Sequence, residues 1–127
     1  MNDKKTFTVA GRIRSVKYAL RGIGVMVASQ HNAWIHAAAT VTVVGAGLVV
    51  GLSGSEWCWI VLAIVSVWTA EALNTALEFL TDVASPAAHP IAGKAKDVAA
   101  GAVLLAAAGA LVIAVFVFWP KLVAPAE

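Results

Sequence analysis

The sequence predicts an all-α membrane protein, with three transmembrane helices preceded by an amphipathic helix on the membrane surface. Three observations carry this. Of the 127 residues, 61% are hydrophobic and only 13% are charged, whereas a soluble domain is nearer half apolar and a quarter charged. Mean hydropathy is +0.85. The apolar residues fall into runs long enough to cross a bilayer, separated by short polar breaks. A chain of this length has room for one membrane domain, 1–127, and none for a water-soluble catalytic domain beside it. A lone cysteine, Cys58, excludes an intramolecular disulfide, and the N-terminal residues lack the apolar core of a signal peptide.

The surface helix is expected over 7–29. Ile13, Val16, Leu20, Ile23 and Val27 share one face, and Arg14, Lys17 and Arg21 cluster on another. Apolar and basic stripes together suit a helix lying among anionic headgroups. The competing reading is a basic helix packed on the rest of the protein. Nucleic acid is not an expected partner for so short a basic segment tethered to a membrane domain.

The first span is expected over 33–54, with Gly45, Gly47 and Gly51 as sites of close helix approach. Ser53 to Glu56 reads as a turn, and Trp57 and Trp59 as the interfacial anchor of a second span over 57–82. The strictly apolar part of that span, Trp57 to Ala70, covers only about 21 Å at roughly 1.5 Å per residue. That is too short to cross, so the helix must continue through Glu71. Glu71 then lies within the hydrocarbon boundary, Glu78 near headgroup depth and Asp82 at the surface. Ser85 to Gly93 reads as a loop, and the third span is expected over 97–119, closed by Pro120.

Six of the nine basic residues precede the first span, and Lys94 and Lys96 lie between the second and third. Three spans put all eight on one side, which the positive-inside rule makes cytoplasmic.

The chemistry concentrates between Glu71 and Asp97. On a helix, Glu71, Asn74, Glu78 and Asp82 fall within an arc of roughly 80° at about 100° per residue. An ionisable residue inside a span costs about 2.5–3.5 kcal/mol on insertion scales and is a functional candidate by default. Glu71 is therefore a candidate general base, with a structural carboxyl as the alternative. Asn74, one turn on, could hold that carboxylate or a substrate hydroxyl, or pack helices. Glu78 suits Mg²⁺, which takes one or two carboxylates together with nucleotide phosphates and water. Lys96 and Asp97 could meet phosphate, metal or ribose, and His89 is either a loop histidine or a nucleotide contact. His31 and His36 are five apart, the wrong spacing for a zinc pair on one helix face. Neither a Walker A sequence nor a kinase Gly-rich loop occurs.

Taken together, EALNTALEFLTD and HPIAGKAKDVAAGAVLL, with SVKYALRGI and QHNAWIH upstream, resemble the prokaryotic diacylglycerol kinase and undecaprenol kinase family of small membrane lipid kinases. The resemblance covers nearly the whole chain. It implies a homotrimer in the bacterial inner membrane, with active sites between protomers at the cytoplasmic surface. There the γ-phosphoryl group of Mg-ATP passes to the hydroxyl of a membrane lipid, diacylglycerol first and undecaprenol as the alternative. By resemblance Glu71 is the catalytic base, and Glu78 and Gln30 occupy the metal positions. Tyr18, His89, Lys96 and Asp97 contact nucleotide, and Asn74 and Ala100 line the substrate site. The chain departs from the pattern twice, with Gln30 where many members have Glu and Trp34 where many have Arg. From other classes, a small transporter would use Glu71 as a coupling carboxylate but would need neither Glu78 nor the Lys96–Asp97 pair. A non-enzymatic scaffold would carry Gln30 as its symptom. A last expectation concerns assembly: a single three-span chain would leave Glu71 and Asn74 facing lipid, so another copy should cover them.

Overall fold

The computed structural model describes residues 8–123. The described chain is four helices and their short connections: α1 (Val9–Ser29), α2 (His31–Val50), α3 (Gly54–Ala84) and α4 (Pro90–Val123). The last three are long and apolar enough to cross a membrane. The expected start of the surface helix at 7, and Lys4 and Lys5 of the basic group, lie outside the described residues.

Thr8 caps α1, its hydroxyl accepting from the Gly11 amide at 3.1 Å, which satisfies one of the free donors of a first turn. Along the helix Ile13, Val16, Leu20 and Ile23 are all more than half exposed, and only Met26 is buried. Four of the five stripe residues are thus not packed on the rest of the chain and are free to face lipid, while Val27 is half-buried. One residue separates α1 from α2. Gln30, with φ −111° and ψ 120°, ends the first helix and starts the second. Its extended backbone turns the chain from α1 into α2, and its side chain reaches Glu78 on α3.

The connection between α2 and α3 is tighter than a four-residue turn. Gly51 adopts φ +67° at the end of α2, a left-handed conformation that favours glycine. Ser53 then caps α3, accepting from the Glu56 amide, while the Glu56 carboxylate accepts from the Ser53 amide at 2.7 Å. This reciprocal capping box makes Gly54 and Glu56 helical rather than part of a turn. Just before it, a Cβ on Gly47 would stand 2.8 Å from the Trp57 ring and 2.9 Å from Leu52, so glycine there lets α2 close on the start of α3. Gly45, by contrast, meets nothing within 4 Å in its own chain.

α3 and α4 form an antiparallel hairpin, the most extensive pairing in the chain. Leu52, Ile60 and Val117 are its buried apolar centre, with Trp57, Ile64 and Ile113 packed around them. Ion pairs tie the hairpin at both ends: Lys121 to Glu56 at 3.2 Å, and Lys96 to Asp82. α2 ends at Val50 rather than at 54, and both ends of α4 also differ from expectation. α4 opens at Pro90 rather than at 97, because proline at the first helical position gives up only a donor that would be unpaired anyway. His89 Nδ1 accepts from the Ile91 amide at 3.2 Å and reinforces that start. At the other end the helix runs through Pro120 to Val123, and this extra turn is what brings Lys121 to Glu56.

Candidate active site

The Glu71–Asn74 half of the polar stripe of α3 faces inward, Glu78 is half-buried and Asp82 is exposed. Glu71 is 0% exposed and Asn74 4%, and both are covered within one chain. The expectation that another copy is needed to shield them is therefore corrected: α3 turns this face toward its own neighbours, where Met26, Ala33 and Ala99 are also buried.

Glu78 is the hub of the shallower layer. Its Oε2 accepts from Gln30 Nε2 at 2.8 Å, and its Oε1 accepts from Asn74 Nδ2 at 2.9 Å. Both donors are neutral amides, so the carboxylate is held in place with its charge uncancelled. Asn74 thus holds Glu78 rather than Glu71, and its own Oδ1 is buried without a hydrogen-bond partner. The Gln30–Glu78 bond joins residues 48 apart in sequence. It spans the break between surface helix and first span, and the third helix in the chain.

About two turns deeper, Glu71 forms a second layer. Neither carboxylate oxygen has a hydrogen-bond partner; the contact the structure does provide is His36 Nε2 on α2, 3.5 Å from Oε2. A buried polar group without a partner costs roughly 2–7 kcal/mol depending on the reference, which marks Glu71 as a candidate for function rather than for stability. One turn further in, the Thr40 hydroxyl donates to the His36 carbonyl at 2.7 Å, and the Trp68 indole donates to Thr40 Oγ1 at 3.1 Å. The Thr75 hydroxyl donates back to the Glu71 carbonyl at 2.8 Å.

The remaining candidates lie apart from these layers. His89 and Lys96 line one hollow of about 520 Å³ with Asp82, Ser85 and Pro86, where the α3–α4 loop turns. Tyr18 is 62% exposed and lines a different hollow, between α1 and α3, with Thr75 and Phe79. Asp97 and Ala100 are exposed on α4, and Trp34 is 65% exposed on α2. Among the described residues no cluster of three or more His, Cys, Asp and Glu side chains is poised for a metal. His36 is the site residue the sequence reading missed. Its only signal was a titratable side chain within a span, which the comparison with His31 as a zinc pair set aside.

The sequence profile of a family described as prokaryotic diacylglycerol kinase matches residues 17–118. An undecaprenol kinase of Bacillus subtilis is 40% identical over 109 residues, covering 86% of this chain and 89% of the relative. A diacylglycerol kinase of Synechocystis is 37% identical over 109 residues, covering 85% of this chain and 62% of the relative. No solved structure matches the chain significantly.

Proposed function

The chain belongs to the prokaryotic diacylglycerol kinase family and is a lipid kinase; from that premise we propose a Mg-ATP-dependent enzyme that phosphorylates diacylglycerol at the cytoplasmic face of the inner membrane. The observation that carries the reading is the pair of stacked layers, an unmet buried carboxylate at Glu71 below a fixed carboxylate at Glu78. A lipid hydroxyl anchored at the interface reaches only the outer part of a membrane, and the two carboxylates stand about 10 Å apart along the helix at roughly 1.5 Å per residue.

In the proposed step Glu71 takes the proton from the lipid hydroxyl. The freed oxygen lone pair forms the bond to the γ-phosphorus, and the bond from that phosphorus to the β–γ bridging oxygen breaks. Its electron pair leaves on ADP. Glu71 has no exposed surface in the substrate-free chain, so a side-chain rotation or helix shift must uncover it when lipid binds. Glu78 would hold Mg²⁺ with the amide oxygens of Asn74 and Gln30 once those side chains turn their N–H groups away from the carboxylate; all three are hard ligands and would leave positions for phosphate and water. The ion, when bound, neutralises charge on the phosphate oxygens. Lys96, released from Asp82, would meet nucleotide phosphate beside His89, with Tyr18 and Asp97 as further nucleotide contacts.

Undecaprenol is the second reading, and the Bacillus subtilis undecaprenol kinase among the relatives favours it. Purified protein with labelled ATP and Mg²⁺, given both lipids side by side, separates the two. Faster labelling of diacylglycerol supports the first reading, faster labelling of undecaprenol the second, and labelling of neither removes both.

A homotrimer with sites completed between protomers follows from the family resemblance, and the exposure of Ala100, Asp97 and Tyr18 in a single chain supports it. Subunits carrying Glu71→Gln mixed with subunits carrying Lys96→Ala should recover activity that neither has alone. No recovery from correctly assembled mixtures would place both residues of each site in one protomer.

A further inference from the structure

We propose that His36 is the positioning residue for Glu71. It donates its Nε2 hydrogen to the buried carboxylate and holds it for the lipid hydroxyl. The inference rests on the proposed role of Glu71 as base and adds the group through which α2 acts on it.

The argument starts from what each group lacks. Both carboxylate oxygens of Glu71 and the Nε2 of His36 are buried with no hydrogen-bond partner, and Nε2 stands 3.5 Å from Oε2. Each is the other's available complement. A movement of a few tenths of an ångström brings them within hydrogen-bonding distance, and catalytic hydrogen bonds are often long before substrate arrives.

The surroundings fix the imidazole rather than leave it free. The Trp68 ring stands edge-on at 6.4 Å between centroids. Its indole N–H engages Thr40, whose hydroxyl engages the His36 carbonyl, so α3 braces this turn of α2 just one turn from Glu71 itself. His36 also lines an apolar cavity of about 130 Å³ with Thr40, Val67 and Ala107. Apart from Thr40, whose hydroxyl is already engaged by the His36 carbonyl and the Trp68 indole, the walls are apolar, and a ring nitrogen facing a carboxylate is the one that carries the proton. The carboxylate therefore has a donor on one oxygen and keeps the other for the substrate proton.

Two measurements test this. In the kinase assay, His36→Ala should lower kcat by roughly 10- to 100-fold, the effect of a displaced reacting group, with KM for ATP and lipid near wild type. His36→Gln, which keeps a donor of similar reach, should recover part of the loss. Placed in a Glu71→Gln background, His36→Ala should cost nothing further, because residues acting as a unit are not additive. An equal loss in both backgrounds, or a loss in KM alone, would overturn the positioning role. Full turnover by Glu71→Gln would instead overturn the base, and His36 with it. The second measurement needs no activity. Nitrogen-15 spectra of the wild-type protein should show His36 protonated at Nε2, with a signal that moves on Glu71→Gln; a signal indifferent to that change would overturn the contact itself.

Discussion

Replacing Glu71 by Gln should lower kcat by about 10²-fold or more, the usual worth of a positioned general base, while KM for nucleotide should stay near wild type. The two side chains have nearly the same volume, so the fully buried site stays filled and no cavity opens. What is lost is the proposed acceptor for the lipid proton. Stability should move little, or upward, because a neutral amide is cheaper to bury than a carboxylate with no hydrogen-bond partner. A thermal melt of the mutant in detergent, read beside steady-state kinetics, separates the two effects. A mutant that melts like wild type yet turns over slowly supports the base. Unimpaired turnover assigns the proton to another acceptor.

The parts of this molecule legible in its sequence are those governed by periodicity and by the price of charge in a membrane. Three apolar runs gave three spanning helices. The apolar deficit after Ala70 required α3 to run on through Glu71, and it continues to Ala84. The arc of Glu71, Asn74 and Glu78 on one face follows from helical geometry alone, and that face is the inward one. Contacts across helices were less legible, because they depend on how segments far apart in sequence meet. Asn74 lies one turn from both Glu71 and Glu78, and spacing cannot tell which carboxylate receives its amide; the structure selects Glu78. His36 faces Glu71 only because α2 packs on α3 at that depth. Local chemistry was available and passed over in two places. The Ser53–Glu56 capping box and Pro90 as a first helical residue are both readable rules, masked here by glycine and proline that more often signal loops.

In the proposed site the metal requirement should turn on the pair formed by Gln30 and Glu78. The family resemblance implies a second carboxylate at position 30 in many members; here an amide stands there, and its Nε2 donates to Glu78 at 2.8 Å. The neutral donor stabilises the carboxylate without a cation, which lowers what a cation gains by arriving. Gln30→Glu reverses this. Two carboxylates would then face each other at close range, an arrangement unfavourable in the empty site and relieved by a divalent ion. The Mg²⁺ concentration for half-maximal activity should fall roughly tenfold with the added charge. The same mutant should melt earlier than wild type in chelator and recover when Mg²⁺ is restored. Glu78→Gln removes the only carboxylate of the layer and should raise the requirement by about tenfold or more, with Asn74 and Gln30 left as weak neutral ligands. A magnesium titration of the three proteins, under saturating ATP and lipid, checks both shifts at once. If Gln30→Glu leaves the curve where wild type has it while Glu78→Gln moves it, the ion is held by Glu78 without position 30, and the Gln30 side chain serves only to fix Glu78 across the break between α1 and α2.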